Sequence, residues 1–456
     1  MANKLQAARL RRKLRPLFII IGAIALLEGI NYGWMTWRIH RAKNALSNYI
    51  EQHQAMGEPV VMADFQGHSL PADQNAATYL SQAAGRLTFA NDAERDALSE
   101  AVNCSQPFSD NVLKTLRSIT ANNGPAIELV HRAHAYPNAD WHITLKTPVM
   151  QTLQLPHINH QYELGQVIKA AAMYKHHVGD DSGAFECVVG LLTISRALDQ
   201  EGPFSSHLVA GGIRRMACRF CLDAAKDLVV SGASAGGDAG EKKAVKRSAI
   251  QLLIVLLLDD ESPNRGINAA WQFERMELHD SLVNSAADAN LYVRANFYTE
   301  ALFLMKNEDE LCRAARAPSW AVASPIAQAA IAPGGSMPKL TEALMPGLRN
   351  TIRSDFQDRT VRRVAALALA MRLYAIDHGG AWPVDLLKLV PSYLQNVPID
   401  PFSPNGAPIG YLPGNPPSLY SVGAGGNDKT AISGDAAREV FRLGGERAAT
   451  TEKSAE

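Results

Sequence analysis

The stretch "PLFIIIGAIALLEGINYGWMTW", Pro16 to Trp37, constrains this chain more than any other. It holds one charged residue, Glu28, and ends in Tyr32, Trp34 and Trp37. About 20 mainly apolar residues suffice for a helix to cross a bilayer, and Trp and Tyr favour its interfaces. Lys4, Arg9, Arg11, Arg12, Lys13 and Arg15 all precede the first acidic residue. A buried core helix is the rival reading, but cations on one flank and aromatics on the other argue against it. The pattern predicts a transmembrane helix over 17–37 behind a basic segment, 1–16. Fewer cations follow it (Arg38, Arg41 and Lys43) than precede it, which favours a cytoplasmic N-terminus and an extracytoplasmic bulk. The expectation is one pass through the cytoplasmic (inner) membrane, with the lipid bilayer as a partner. A cleaved signal peptide is the other rival. The small-x-small pattern of a cleavage site is missing after the apolar run, which favours an uncleaved anchor.

The 456 residues imply two or three domains at about 100–200 residues each. Lys+Arg and Asp+Glu both number 45, so there is no excess of basic residues to displace counterions from phosphates, and no nucleic-acid partner is expected. The five cysteines are too few and too scattered for a disulfide framework. Cys218 and Cys221 form a C-x-x-C inside a helix-like run, where packing is a better reading than redox chemistry or zinc.

Beyond the anchor, 38–71 reads as a membrane-proximal helix and linker. Residues 72–316 read as an irregular α-helical bundle or solenoid. Asn91 and Ser109 stand where caps of helices over 92–102 and 110–121 belong. Leu164, Val167, Ile168, Ala171 and Ala172 make one apolar stripe, and Gly179-Asp180 and Gly202-Pro203 break the text into helical hairpins. "SGASAGGDAGEKK", 231–243, reads as a loop, and "AIQLLIVLLL", 249–258, as a buried helix. Residues 317–338 are rich in Pro and Ala and read as a connection between domains.

Residues 339–435 read as a separate module. A helix apolar over most of its circumference ends at Gly379-Gly380 and suits burial against a sheet. Pro391, Pro398, Pro401 and Pro404 force turns. "IGYL", 409–412, and "LYSV", 419–422, have strand composition. Residues 436–456 read as a charged, disordered tail. The overall fold class expected is mainly α, with a small C-terminal α+β unit.

"YAIDHGGAWPVDLLKLVPSYLQNVPIDPF", followed by "IGYL" and "LYSVGAGG", resembles the C-terminal part of the major pseudopilin of type II secretion systems. The resemblance runs from about Arg359 to Asp435 and implies a pilin-like helix-on-sheet cap. In that family a Ser-x-Gly-x-Asp-Gly loop binds calcium. Ser421 and Gly423 match it, but Gly425 stands where the family has Asp, leaving Asn427, Asp428 and Asp435 nearby. The family's leader, with Gly before its cleavage site, has no counterpart ahead of this membrane helix. The whole plan also resembles a group of planctomycete-type membrane-anchored envelope proteins, a resemblance that implies no activity. Calcium on Ser421, Asn427, Asp428 and Asp435 is the one cofactor the likeness suggests.

His157, His160 and Glu163 lie three apart, a spacing that drifts about 60° per step around a helix. Zinc hydrolases instead place two His at i and i+4 with Glu between them. No nucleophile elbow, Walker loop or dinucleotide fingerprint is present in a strand–helix setting. The expectation is a non-catalytic envelope protein that binds or scaffolds other envelope proteins. Two alternatives are a pseudopilin-related secretion component and a tethered hydrolase built on the histidines of 131–177.

Overall fold

In a computed structural model of the chain, the apolar segment and the residues after it form one unbroken helix, α1, Ala2–Ala55. The structure describes residues 2–66, 69–231, 243–331, 339–424 and 439–443. The part of α1 that starts at Leu17 is long and apolar enough to cross a membrane, and none of its most apolar window is buried. At the aromatic end, the Arg38 guanidinium lies 4.8 Å from the centre of the Trp34 ring, and that of Arg41 lies 5.3 Å from the Trp37 ring. Such pairs suit a membrane–water interface, where ring and cation keep opposite surroundings.

The chain is mainly helical. After α1 come α2 (Ala76–Ala84), α3 (Asp92–Ala101), α4 (Asp110–Asn122), α5 (Gly124–Ala133), the single turn α6 (Val149–Thr152), α7 (Pro156–His177), α8 (Asp181–Asp199) and α9 (Phe204–Ala224). A short parallel pair, β1 (Val230–Ser231) and β2 (Val245–Lys246), leads into α10 (Arg247–Leu258). Then follow α11 (Glu261–Asp288), α12 (Leu291–Ala315), α13 (Trp320–Ile331) and α14 (Lys339–Asp377). Strands β3 (Gly410–Leu412), β4 (Ser418–Ser421) and β5 (Glu439–Arg442) form an antiparallel sheet in that order.

The chain divides into two compact units. One holds Met1–Gln66, Leu145–Leu153 and Arg275–Lys306. In it the far half of α1 turns a stripe inward, with Met35, Leu46 and Tyr49 buried and Ile39, Ala42 and Ile50 half-buried between them, at helical spacing. Tyr49 Oη donates to the Met305 carbonyl at 3.2 Å. Arg275 is buried and reaches the Glu58 carboxylate at 3.1 Å. Asp280 accepts from Thr147 Oγ1 and from the Val149 amide, both at 2.8 Å.

The other unit holds Gly67–Thr144, Gln154–Glu274 and Asn307–Glu456. Its core is the three-helix set α7, α8 and α9, with α14 laid along α9 and α10. Capping fixes the helix starts: Asn91 accepts from the Glu94 amide at 2.9 Å, Ser109 from Val112 at 3.4 Å and Asp180 from Gly183 at 3.1 Å. Val361, Val364, Leu367, Leu369, Met371 and Leu373 of α14 are all buried, each contributing about 1.5–3 kcal/mol. Gly379 and Gly380 close α14 at φ +65° and +92°, where a Cβ would be strained. In the sheet Gly410 faces Tyr420, whose ring lies 2.1 Å from where a Cβ on Gly410 would stand, so only glycine fits there.

Buried charge also holds α14 in place. From Asp355 to Arg363, eight charged side chains alternate in sign: Asp355–His207 (2.9 Å), His207–Asp199 (2.8 Å), Asp199–Arg214 (2.5 Å), Arg214–Asp358 (2.9 Å), Asp358–Arg362 (3.4 Å), Arg362–Asp260 (2.6 Å) and Asp260–Arg363 (2.6 Å). Both ring nitrogens of His207 face carboxylates, so both donate and the ring is an imidazolium. Burial works against that charge, but Asp355 and Asp199 outweigh it and raise His207 to about 10. Burial pushes the Asp358 and Asp260 carboxyls up, yet the arginines beside them hold both below the usual carboxylate range. Within this chain four acids meet four bases, and the buried Arg359 beside it donates instead to the Ala315 and Ala317 carbonyls and to Asn264 Oδ1.

Several sequence expectations are met differently. The stretch 317–338 contains α13, with Pro325 inside it, where a connection was expected; 332–338 lie outside the described residues. The division between the two units does not fall there, because α14 is locked to α9 and α10 by apolar packing and by the charge chain. The all-round apolar surface of α14 meets helices as well as the sheet. Residues 439–442, assigned to a disordered tail, form β5, where Val440 and Phe441 pair with Tyr420 and Leu419. The loop 232–242 and residues 444–456 lie outside the described residues. Helix α10 is only half-buried, with Leu252 and Val255 more than 60% exposed.

Candidate functional site

A cleft of about 280 Å³ opens in the larger unit where four elements diverge. Its walls are Val102 to Ser105 after α3, Lys169 of α7, Arg219, Leu222 and Asp223 of α9, and Val440 to Arg442 of β5. The apolar stripe of α7 faces the core, so a lysine within "VIKAAA" is drawn in with it. Lys169 is 5% exposed and forms the floor, while Asn103, Ser105, Asp223 and Arg442 stand at the open rim.

The Lys169 ammonium makes no hydrogen bond and no ion pair within 4 Å among the described residues. Burial pushes it down to about 8, against the attraction of Asp223. The Asp223 carboxyl moves the other way: the surrounding protein pushes it up, although Lys169 and Arg219 pull it down and its edge is open to the cleft. A buried base lowered and a neighbouring acid raised, both in a concave site, are a frequent mark of a functional position. Among the described lining residues, Lys169, Arg219 and Arg442 are cations and Asp223 is the carboxylate.

The residues singled out in the sequence are dispersed. His157 Nε2 lies 2.6 Å from Glu201 Oε1, and its ring stacks on Trp141 at 4.7 Å. Glu163 instead pairs with Arg95, so His157 and Glu163 do not converge. His134 meets Thr193 Oγ1 at 3.1 Å, and burial lowers both His131 and His134. His176 is held by Asp181 at 2.5 Å and Asp227 at 3.2 Å, and Asp181 also accepts from the Val229 amide at 2.8 Å. That pair ties the end of α7 to β1. Burial opposes the His176 charge, and the two carboxylates overcome it and raise the ring to about 9. Cys218 and Cys221 lie buried in α9, and burial pushes the Cys218 thiol up to about 12 and the Cys221 thiol well above its ordinary range. A thiolate is disfavoured at both.

Ser421 is fully buried at the end of β4, and its hydroxyl donates to Asp400 Oδ1 at 2.8 Å. The same carboxylate accepts from the Val422 amide at 2.7 Å and the Phe402 amide at 3.0 Å. Ser421 is thus committed to a protein partner. Asn427, Asp428 and Asp435, the other residues of the suggested calcium loop, lie outside the described residues. Among the described residues no cluster of three or more His, Cys, Asp or Glu side chains is placed to hold a metal ion. Asp400, inside Pro-x-Asp-Pro-Phe, is a key residue that the sequence reading took only as part of a turn.

Comparison of the chain with protein-family models, with curated proteins and with solved structures found no match.

Proposed function

We propose that this chain is a single-pass membrane-anchored envelope protein that binds protein partners on its helical surfaces and catalyses no reaction. Its N-terminus lies in the cytoplasm and its bulk beyond the inner membrane. One observation carries this reading. In α1 the stretch Leu17–Trp34 offers its apolar side chains to the surroundings, whereas Met35, Leu46 and Tyr49 of the same helix are buried in a folded unit. A helix greasy on all sides at one end and one-sided at the other is suited to anchoring a fold at a bilayer surface. The exposed apolar face of α10, with Leu252, Val255 and Leu256, supports protein binding.

The test has two arms. Wild-type chain is expected in membranes after alkaline carbonate washing and to yield its bulk to protease only from the extracytoplasmic side. Recovery in the soluble fraction, or cleavage of the bulk from the cytoplasmic side, overturns the reading. A pull-down from detergent-solubilised membranes is expected to capture a partner that Leu252→Glu with Val255→Glu releases.

A second reading keeps the pilin likeness. Helix α14, the Gly379-Gly380 stop, the proline turns and the antiparallel β3–β4–β5 follow one another in the order the resemblance implies. The tie from Asp400 to Ser421 and Val422 supports it further, since it joins the proline turn to the strand end. This reading expects co-purification with type II secretion or pilus components, and their absence from the captured set counts against it.

A further inference from the structure

We propose that the cleft between α3, α7, α9 and β5 is a binding site for a small organic anion, its carboxylate or phosphate oxygens received by the Lys169 ammonium. Four observations carry this. Lys169 is 5% exposed, yet no protein acceptor takes any of its three N–H donors among the described residues. The ammonium opens onto the cleft rather than being sealed inside, so its N–H donors are turned to whatever occupies that space. The space it faces is not a packing defect: about 280 Å³ far exceeds the roughly 10–15 Å³ that a single water needs and is on the scale of a small metabolite rather than a single ion.

The surroundings also match an anion. Arg442 stands at the exposed rim beside Lys169, and among the described lining residues Asp223 is the carboxylate. Asn103 and Ser105 at the rim add neutral donors of the type that orient a carboxylate or phosphate. Val102, Leu222, Val440 and Phe441 supply apolar wall, which suits a ligand with a short carbon body. Asp223 at the rim disfavours anions of high charge and would accept a hydroxyl or ammonium on the ligand. The site therefore fits a small hydroxylated or amino-substituted carboxylate or phosphate ester better than a polyphosphate. It stands apart from the apolar face of α10 invoked above and rests on different residues.

The experiment uses full-length protein in detergent, with inorganic phosphate, succinate and chloride at matched ionic strength as probes. Thermal unfolding and titration calorimetry are the readouts. Saturating phosphate or succinate is expected to raise the wild-type Tm by about 3 °C or more over chloride, through preferential binding to the folded state. A response to phosphate alone assigns a phosphate ligand, and one to succinate alone a carboxylate. Lys169→Met is expected to abolish the gain while keeping its own Tm in chloride at or above the wild-type value. Arg442→Gln, at an exposed position, is expected to weaken binding about tenfold and decides the matter should the first variant fail to fold. A wild-type Tm equal in all three salts overturns the site, as does a gain that survives in Lys169→Met or an affinity unchanged in Arg442→Gln.

Discussion

Two groups of buried charge in the larger unit have opposite characters. In the chain that runs from Asp355 through His207, Asp199, Arg214, Asp358, Arg362 and Asp260 to Arg363, each charge lies against an opposite one and these eight sum to zero, while the buried Arg359 beside them is held by the Ala315 and Ala317 carbonyls and Asn264 Oδ1. At the cleft, Lys169 is as deeply placed as Arg214 but has no acceptor among the described residues. The first arrangement is architecture: it fixes which face of α14 meets α9 and α10. The second leaves a charge for something else to satisfy. Depth alone does not separate structure from site; the presence of an oppositely charged protein partner does.

The contrast is most directly broken at Arg214. Arg214→Met leaves Asp199 with His207 alone and Asp358 with Arg362 alone in the interior and is expected to cost about 3–5 kcal/mol, measured by denaturant unfolding of the solubilised chain. Lys169→Met is expected to do the reverse. It removes a charge the fold disfavours and should raise stability by about 1–3 kcal/mol in the same measurement. If both variants move the same way, the distinction between the two groups fails. Asp400→Ala tests an intermediate case, a buried carboxylate satisfied by neutral donors alone. Leaving the Ser421 hydroxyl and the Val422 amide unpaired should cost about 1–3 kcal/mol.

The pH profile sharpens the same comparison. His207 and His176 are raised from 6.5 to about 10 and about 9, so their contribution is complete below pH 6.5 and is lost as pH rises through those values. Asp358 and Asp260 are lowered from 3.8, so theirs is present above pH 3.8 and lost as pH falls through their depressed values. Lys169 is lowered from 10.5 to about 8, so its penalty fades as pH climbs from 8 towards 10.5. Stability should therefore be flat between about pH 4 and pH 6.5 and fall on both sides, already through neutrality on the alkaline side, and in Lys169→Met the alkaline fall should be steeper. The smallest expected effect is chemical. A maleimide should label Cys104, at the cleft, before Cys187, Cys218 and Cys221, whose thiols are buried; mass spectrometry of the native chain reads the order.

Local signals in the sequence carried much of the fold. Asn91 and Ser109 cap where polar side chains before helical text should cap, and Gly379-Gly380 stop α14 because nothing else tolerates the left-handed turn. Residues 409–412 and 419–422 are strands or border them for the same local reason. The charge chain was not legible, because its members are far apart in sequence: His207 meets Asp355, and Arg214 meets Asp358. In the sequence they read as ordinary helix-surface charges. Strand β5 was missed because four residues between charged neighbours carry too little pattern, and only β4 completes them. Lys169 left a faint trace, a lone cation inside the stripe Val167–Ala172. A lysine there more often extends its stem to reach water, and only the packing around α7 shows that this one stays inside.

The continuity of α1 has a mechanical consequence. No glycine turn or proline hinge separates the apolar stretch from the stripe at Met35, Leu46 and Tyr49. In a bilayer, a span that meets a thinner hydrocarbon layer responds by leaning. A rod with no joint carries that lean straight into the side chains packed around its other end, so lipid thickness becomes a load on the fold it holds.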